Sequence, residues 1–365
     1  MITINHAIGT RHGRAAIDRL QRQLDYFVGR LGHLAAMAAV DIWGVGRFHL
    51  VAGYADRQRT IPAESDHLYQ IGNQTKSMVA VALLLLHRQG SIDLDAPVVA
   101  SLDLPIDQRI TTRHLITNSS GLGEYTHALL PARFDPRLVL SPQDLVSLAL
   151  PQGQLFQPGL RFDYCNTGWV IAAMLIDRIC GKDYGEVIQQ LILEPLGLTN
   201  SSISMTPPTE RMLRAYVSSI ATTDFEDASD GLSWAYGAGQ GVSCLDDMLD
   251  YFGSFCRESP LEVSLADLTS SMLTHGPTPN VPLTVGADYG LGIESRAFAG
   301  NPVFGHPGST RTYLSSTWLD PEQGVAVATI VTRALRLPAT SDTDARYPRE
   351  QLFSTALSAA YALTP

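Results

Sequence analysis

The sequence is poor in the features that would announce a disulfide framework, a metal centre, a membrane span or a nucleic-acid surface. Its 365 residues include four cysteines, Cys165, Cys180, Cys244 and Cys256, with no C-x-x-C pair. They read as reduced thiols in core or loops. Ten histidines are present, but none forms H-x-x-x-H or H-x-H, so the clustered ligands of a catalytic metal are missing. Neither glycine fingerprint of a nucleotide fold occurs: the segment GAGQG does not fit the dinucleotide spacing, and no cofactor is expected. The most apolar run, Met78 to Leu86, has nine residues, too short to span a bilayer, and reads as a helix buried in the fold. The opening MITINHAIGTRHGRAAIDRL lacks the apolar core of a signal peptide. A cytoplasmic location with no membrane partner is therefore the expectation. A net charge of -10 with no basic stripe argues against nucleic acid or an anionic membrane as partner. No internal repeat or low-complexity tract interrupts the chain.

What is present is an ordinary globular composition, 45% apolar and 17% charged, long enough for a large core and two packed domains. Residues from about 14 to 31 carry apolar side chains at helical spacing. AAMAAVDIWGVGRFHLVAGYAD reads as two strands joined by a turn around Gly44 and Gly46. Residues 76 to 200 are mainly helical, with helix ends expected at Gly90 and Gly181. The polar stretch 206 to 230 reads as a connecting loop. VFGHPGSTRTYLSSTWLDPEQGVAVATIVTRA reads as consecutive antiparallel strands turning at DPEQG, and REQLFSTALSAAYAL as a terminal amphipathic helix. This order implies a sheet assembled from both chain ends, residues 1–75 and 231–365, beside a mainly helical domain, 76–230. A cleft between two such domains is a common place for a small-molecule site.

Several stretches, in order, carry a resemblance: HLYQIGNQTKSMVA, LLLLHRQGSIDLDAPV, ITTRHLITNSSGLGEY, FDYCNTGWVIAAMLI with its Tyr-x-Asn, LILEPLGLTNSS, GAGQGVSCLDDMLDYF, YGLGIES and FGHPGST. Together they span roughly residues 35 to 335. The chain resembles the class C β-lactamase-like serine hydrolases, a group that includes esterases, D-aminopeptidases, D-amino-acid amidases and some acyltransferases. The resemblance implies an α/β plus all-α, β-lactamase/transpeptidase-like fold: an antiparallel sheet flanked by terminal helices, with a helical insert domain. It also implies action on a small amide or ester without cofactor or metal. Two positions depart from the pattern. Asn118 stands where a histidine is usual, and Asn73 stands where the serine nucleophile belongs.

The chemistry of such a site can be stated from first principles. A hydroxyl of ordinary pKa is inert at pH 7 without an adjacent base. Residues i and i+3 at a helix start share one face, so position 73 and Lys76 can touch. A desolvated lysine loses part of its preference for the charged form and can accept a proton. By resemblance, Tyr164 shares the base role and relays the proton to the leaving group, and Asn166 hydrogen-bonds the substrate amide or carbonyl. His306 and Gly308 line the opposite wall, and the main-chain N–H groups of residue 73 and Ser309 form the oxyanion hole. Main-chain donors do not depend on side-chain identity, so that hole is expected to survive. The β-lactamases proper usually carry lysine at position 306, and histidine there is commoner among esterases and peptidases, which shifts the expectation away from antibiotic resistance. The plainer alternatives are a snorkelling lysine at 76, a buried aromatic at 164, a turn-forming asparagine at 166 and a strand histidine bonded into the fold at 306. Glu124 and Tyr125 either face the cleft or serve a loop.

Asn73 removes the nucleophile. An amide nitrogen lone pair is delocalised, and losing the serine from a comparable catalytic unit costs on the order of 10⁶ in turnover, roughly 8 kcal/mol of barrier. Thr75 and Ser77 are displaced around the helix from position 73. As structure, the plainer alternative is that asparagine, a good helix N-cap, lets the fold form while contributing nothing chemical. Three explanations stand: a serine hydrolase disarmed by substitution, a natural enzyme using Lys76 and Tyr164 without a covalent intermediate, and a binding protein that kept the pocket. Substrate identity, hydrolysis against transfer, and oligomeric state are not legible.

Overall fold

The computed structural model describes residues 8–129, 139–203, 211–218, 225–229, 232–274, 288–310, 312–332, 334–336 and 342–364. Thr10 caps the first helix, α1 (Arg11–Gly29), accepting from the Gly13 N–H at 2.9 Å. Leu20, Leu24 and Phe27, at helical spacing, form its buried stripe. The strands of the main sheet are β1 (Ala35–Ile42), β2 (Gly46–Gly53), β3 (Leu273–Thr274), β4 (Asp288–Tyr289), β5 (Glu294–Phe298), β6 (Asn301–Ser309), β7 (Tyr313–Asp320) and β8 (Val325–Thr332). Their order is β2-β1-β8-β7-β6-β5-β4-β3, antiparallel throughout. β1 pairs with β8 from Ala35↔Thr332 to Ile42↔Val325, so strands from the two ends of the chain pair within one sheet, as the sequence order implies.

Both faces of this sheet are apolar, which is why β1 and β8 show no polar alternation. Ala36, Ala38, Val40, Val327 and Val331 pack with α1 and with the C-terminal helix α6 (Asp342–Leu363) through Leu352, Phe353, Ala356 and Leu357. The residues of opposite parity, Ala35, Met37, Ala39, Ala326 and Ala328, belong to the larger core shared with the helical region. That region is built on α2 (Thr75–Arg88), α3 (Pro142–Ala149), α4 (Asn166–Cys180) and α5 (Leu245–Gly253). The apolar run in α2 is buried from Met78 to Leu84, and α4 is buried from Thr167 to Ile176. These two helices pack on each other. Gly90 and Gly181 follow the ends of α2 and α4 with φ of 74° and 64°, the left-handed caps expected of them. The DPEQG turn joins β7 to β8, with Asp320 Oδ1 accepting from the N–H groups of Glu322 and Gln323 at 3.0 Å each.

The stretch 206–230 lies largely outside the described residues. Its described parts are not plain loop: Tyr216–Ser218 pairs antiparallel with Phe225–Asp227 and parallel with Ala334–Arg336.

One contact fixes the sheet against the entrance to α2. A Cβ at Gly308 in β6 would stand 2.0 Å from Ile71 O and 2.3 Å from Ser315 Oγ. Gly308→Ala is therefore expected to cost about 3 kcal/mol or more, at the upper end of the overpacking range. Gly29→Ala, at a helical position with nothing within 4 Å of the new methyl, should be neutral or stabilising by up to about 1 kcal/mol. Denaturant midpoints of the two variants check the contrast.

Candidate active site

The site is built where the chain enters α2 alongside the end of β6. Residues Gly72–Gln74 form a single 3-10 turn ahead of α2. Gly72 has φ of 56°, and a side chain there would meet Ser309 N at 2.7 Å, so only glycine lets the main chain pass this close to the end of β6. Ser315 Oγ donates to Ile71 O at 3.0 Å and accepts from Gln74 Nε2 at 2.8 Å. The main chain beside Asn73 and that of Ser309 are thereby held on one wall.

Lys76 sits in the first turn of α2 with no exposed surface. Its Nζ donates to Asn73 Oδ1 at 3.1 Å and to Ala238 O at 2.6 Å. The i to i+3 contact expected from the sequence is formed. Burial drives the Lys76 pKa down from 10.5 to about 7, against the opposing pull of Glu124, Cys165 and Glu294. Near neutral pH the amine is thus divided between its two protonation states and can take up a proton.

Asn73 does not cap the helix, so the plainer alternative for it is not what the structure has. The residue before α2 is Gln74, in α-helical geometry and without a side-chain cap bond, and the Asn73 oxygen accepts from Lys76 instead. The 3-10 turn supplies the reason: it carries position 73 past the cap and onto the face of Lys76. The neighbouring hydroxyls are tied into the fold. Thr75 Oγ1 donates to Gly72 O at 2.7 Å and accepts from the Gly241 N–H at 2.9 Å, and Ser77 Oγ accepts from Tyr251 OH at 3.1 Å.

The structure brings Tyr164 to the amine, but face-on. Lys76 Nζ lies 5.0 Å from the centroid of its ring, within cation–π range. The Tyr164 hydroxyl is buried with no hydrogen-bond partner among the described residues. Burial holds its pKa well above the ordinary phenol value, so at neutral pH it is a proton donor. The amine and the phenol are pushed in opposite directions, which is how one site comes to hold a base and an acid together.

His306, expected on the wall facing the ligand, is fully buried. Its Nδ1 lies 2.7 Å from Pro307 O and its Nε2 3.1 Å from Tyr289 OH. A carbonyl only accepts, so Nδ1 carries the proton and Nε2 accepts from the tyrosine. Burial lowers the His306 pKa to about 4, and the ring is neutral at pH 7. Contact with a ligand would require one of these bonds to open. Tyr289 in turn packs edge-on against Tyr164, with centroids 6.2 Å apart. His306 thus stands behind Tyr289, and Tyr289 beside Tyr164.

Asn166 opens α4 and is half-buried. Its main-chain N–H and its Nδ2 both donate to Glu124 Oε2, at 2.6 and 3.2 Å. Glu124 Oε1 accepts from Thr126 N at 2.9 Å, so the carboxylate serves two helix starts. Tyr125 is buried and its hydroxyl donates to Trp234 O at 2.7 Å. These two residues organise the loop. Asn118 has φ of 54°, a region asparagine tolerates better than most residues. Its Oδ1 accepts from Trp169 Nε1 at 2.9 Å and Cys165 N at 3.3 Å, and its carbonyl from Asp163 N at 2.8 Å. Position 118 therefore latches the segment that carries Tyr164.

Ala238 was not legible as a site residue, because its contribution is a carbonyl. It ends the 3-10 turn Tyr236–Ala238, within the GAGQG stretch that opens one of the segments carrying the resemblance. Tyr236 has φ of 39°, a conformation that costs about 1–3 kcal/mol. Its hydroxyl is hydrogen-bonded to Asp177 Oδ2, and its ring lies 4.6 Å from that of Tyr184. This strained turn points the Ala238 carbonyl at Lys76. Among the described residues no three His, Cys, Asp or Glu side chains group as metal ligands, and no helix is long and apolar enough to cross a membrane.

The lysine pKa has a consequence for stability. Its folded value lies below its unfolded one, so between about 7 and 10.5 the unfolded chain binds more protons and stability rises with pH. Lys76→Met abolishes this dependence. Its stabilising effect relative to the parent should be largest below pH 7, by a few kcal/mol on the order of the lost desolvation cost, and should shrink towards pH 10.5. Urea unfolding at pH 6.5 and pH 10 tests this, and an unchanged difference would contradict it.

Comparison with known proteins bears on the fold and the family. The D-amino acid amidase from Ochrobactrum anthropi SV3, solved with L-phenylalanine amide, superposes with a TM-score of 0.80 at 25% identity, covering 94% of this chain and 98% of that one. Penicillin-binding protein 4* of Bacillus subtilis is 27% identical over 43% of this chain and 35% of its own length. A D-aminopeptidase of Brucella anthropi is 25% identical over 73% of this chain and 50% of its own. These two alignments span half or less of the curated relatives. The fold is the β-lactamase/transpeptidase-like one, and the beta-lactamase family matches residues 24–349: the chain belongs to that family.

Proposed function

We propose that the chain carries a β-lactamase-type acyl site for a small amide or ester, hydrolase or acyltransferase in design, in which Asn73 leaves no route through a covalent acyl-enzyme. The observation that carries this reading is the 3.1 Å bond from Lys76 Nζ to Asn73 Oδ1. The base stands against position 73, where a serine hydroxyl would receive its help, and meets a carbonyl oxygen with no proton to give. The O. anthropi amidase, solved with an amino acid amide, supports a small amide as ligand.

A second reading is favoured by the Lys76 pKa of about 7. With Lys76 as base and Tyr164 as acid, the site could promote an elimination, a cyclisation or direct attack by water or a substrate hydroxyl, with no intermediate on the protein. A pocket that binds without reacting is the third.

Asn73→Ser separates these. Under the first reading the parent chain is not modified by a fluorophosphonate, whereas Asn73→Ser gains one adduct at residue 73. Its nitrophenyl ester hydrolysis should rise by about 10³-fold or more, within the range that separates triads with and without their serine. A folded Asn73→Ser protein that takes no adduct contradicts the proposal. Turnover by the parent that disappears in Lys76→Ala and Tyr164→Phe would establish the non-covalent reading.

A further inference from the structure

We infer that Asp177 is a positioning residue for the Lys76 amine: from the far end of α4 its one carboxylate braces the turn around Ala238 on both sides, and so fixes the carbonyl on which the amine rests. The inference goes beyond the acyl-site reading and does not depend on it, because it concerns only how the amine is held.

Asp177 lies about three turns, roughly 16 Å, along α4 from Asn166. It is half-buried, and both of its oxygens are engaged. Oδ2 accepts from the Tyr236 hydroxyl. Oδ1 accepts from the Tyr184 main-chain N–H at 2.6 Å, and the Tyr184 hydroxyl in turn donates to Gln240 Oε1 at 2.9 Å. Tyr236 and Gln240 stand two residues before and two residues after Ala238. The rings of Tyr184 and Tyr236, both buried, lie against each other with centroids 4.6 Å apart. A single carboxylate thus holds both limbs of the turn.

The turn needs holding. Tyr236, with φ of 39°, adopts a bend that glycine would take freely and a larger residue takes only under restraint. The next residue lies flush on α4, since a Cβ at Gly237 would stand 2.5 Å from both Trp169 O and Ala173 Cβ. Past Ala238 the chain is fixed again: the Gly241 N–H donates to Thr75 Oγ1 and the Gly241 carbonyl accepts from Ile71 N, at 2.9 Å each. Between these points the Ala238 carbonyl receives Lys76 Nζ at 2.6 Å, a shorter bond than the 3.1 Å one to Asn73. A short bond from a charged donor favours the ammonium, so withdrawing this carbonyl makes the amine give up its proton more readily. The charges that act on the amine are those of Glu124, Cys165 and Glu294. Asp177 is not among them, and its influence runs through the turn.

NMR titration of Lys76, in protein carrying ¹³C-labelled lysine, tests the inference. Tyr236→Phe keeps the ring and deletes the hydroxyl; its Lys76 midpoint should fall by about one pH unit, the scale of a hydrogen bond to a charged group partly lost. Asp177→Asn still offers an oxygen to the Tyr184 N–H and should move the midpoint in the same direction. The double variant should fall no further than the larger single change, because both substitutions act on one bond. Ile179→Ala trims packing at the same end of α4 without touching that bond, and should leave the midpoint where it is. A midpoint unchanged or raised in whichever of the two single variants folds overturns the inference. So do additive falls in the double variant, or an equal fall in Ile179→Ala, which would mean general loosening of the helix.

Discussion

The arrangement depends on one unfavourable act, the removal of the Lys76 amine from water. A lysine with no exposed surface loses hydration that its few polar neighbours only partly replace. The residual cost appears as a pKa brought down to about 7. The same burial acts with opposite sign on Tyr164, whose neutral form it favours. One physical cause therefore yields a weak cation and a weak acid side by side, although Glu124 and Glu294 pull the amine the other way. The two acceptors that remain, Asn73 Oδ1 and Ala238 O, fix where the amine points.

Each of those acceptors is delivered by a different part of the fold. Asn73 arrives on the 3-10 turn that the close approach of Gly72 and Gly308 presses against β6. Ala238 arrives on a turn whose strained Tyr236 is held by Asp177 from α4. Tyr164 is brought by the segment that Asn118 latches, and it is backed by Tyr289 and His306. Residues from both the sheet and the helical region thus converge on a single amine. The sheet, apolar on both faces, supplies a rigid wall, and the strain lies in the turns that face it.

Much of this was legible in the letters. The periodicity of α1, the paired strands of β1 and β2, the buried run of α2, the left-handed glycines after α2 and α4 and the turn at Asp320 are local patterns, and local patterns survive folding. The contact of positions 73 and 76 follows from helix geometry alone. What escaped was of another kind. A main-chain carbonyl such as that of Ala238 has no letter of its own. Glu124 reads as an ordinary loop acid until Asn166 and Thr126 are brought to it. Asparagine's preference for helix caps does not decide the role of Asn73, because the 3-10 turn places the residue outside the cap and Lys76, three residues on, claims its side chain. The resemblance of Tyr164 to a family base said nothing of its ring lying towards the amine with the hydroxyl unpartnered.

The most direct test is the titration of the amine itself. The sequence has only two lysines, Lys76 and Lys182, so a protein grown on lysine labelled with ¹³C at Cε shows two resonances, assigned with Lys76→Met. The Lys76 signal should move with pH through a midpoint of about 7. A midpoint at the ordinary lysine value of 10.5 would mean that the amine is hydrated, and the base, the acid and the gap between them would lose their common cause.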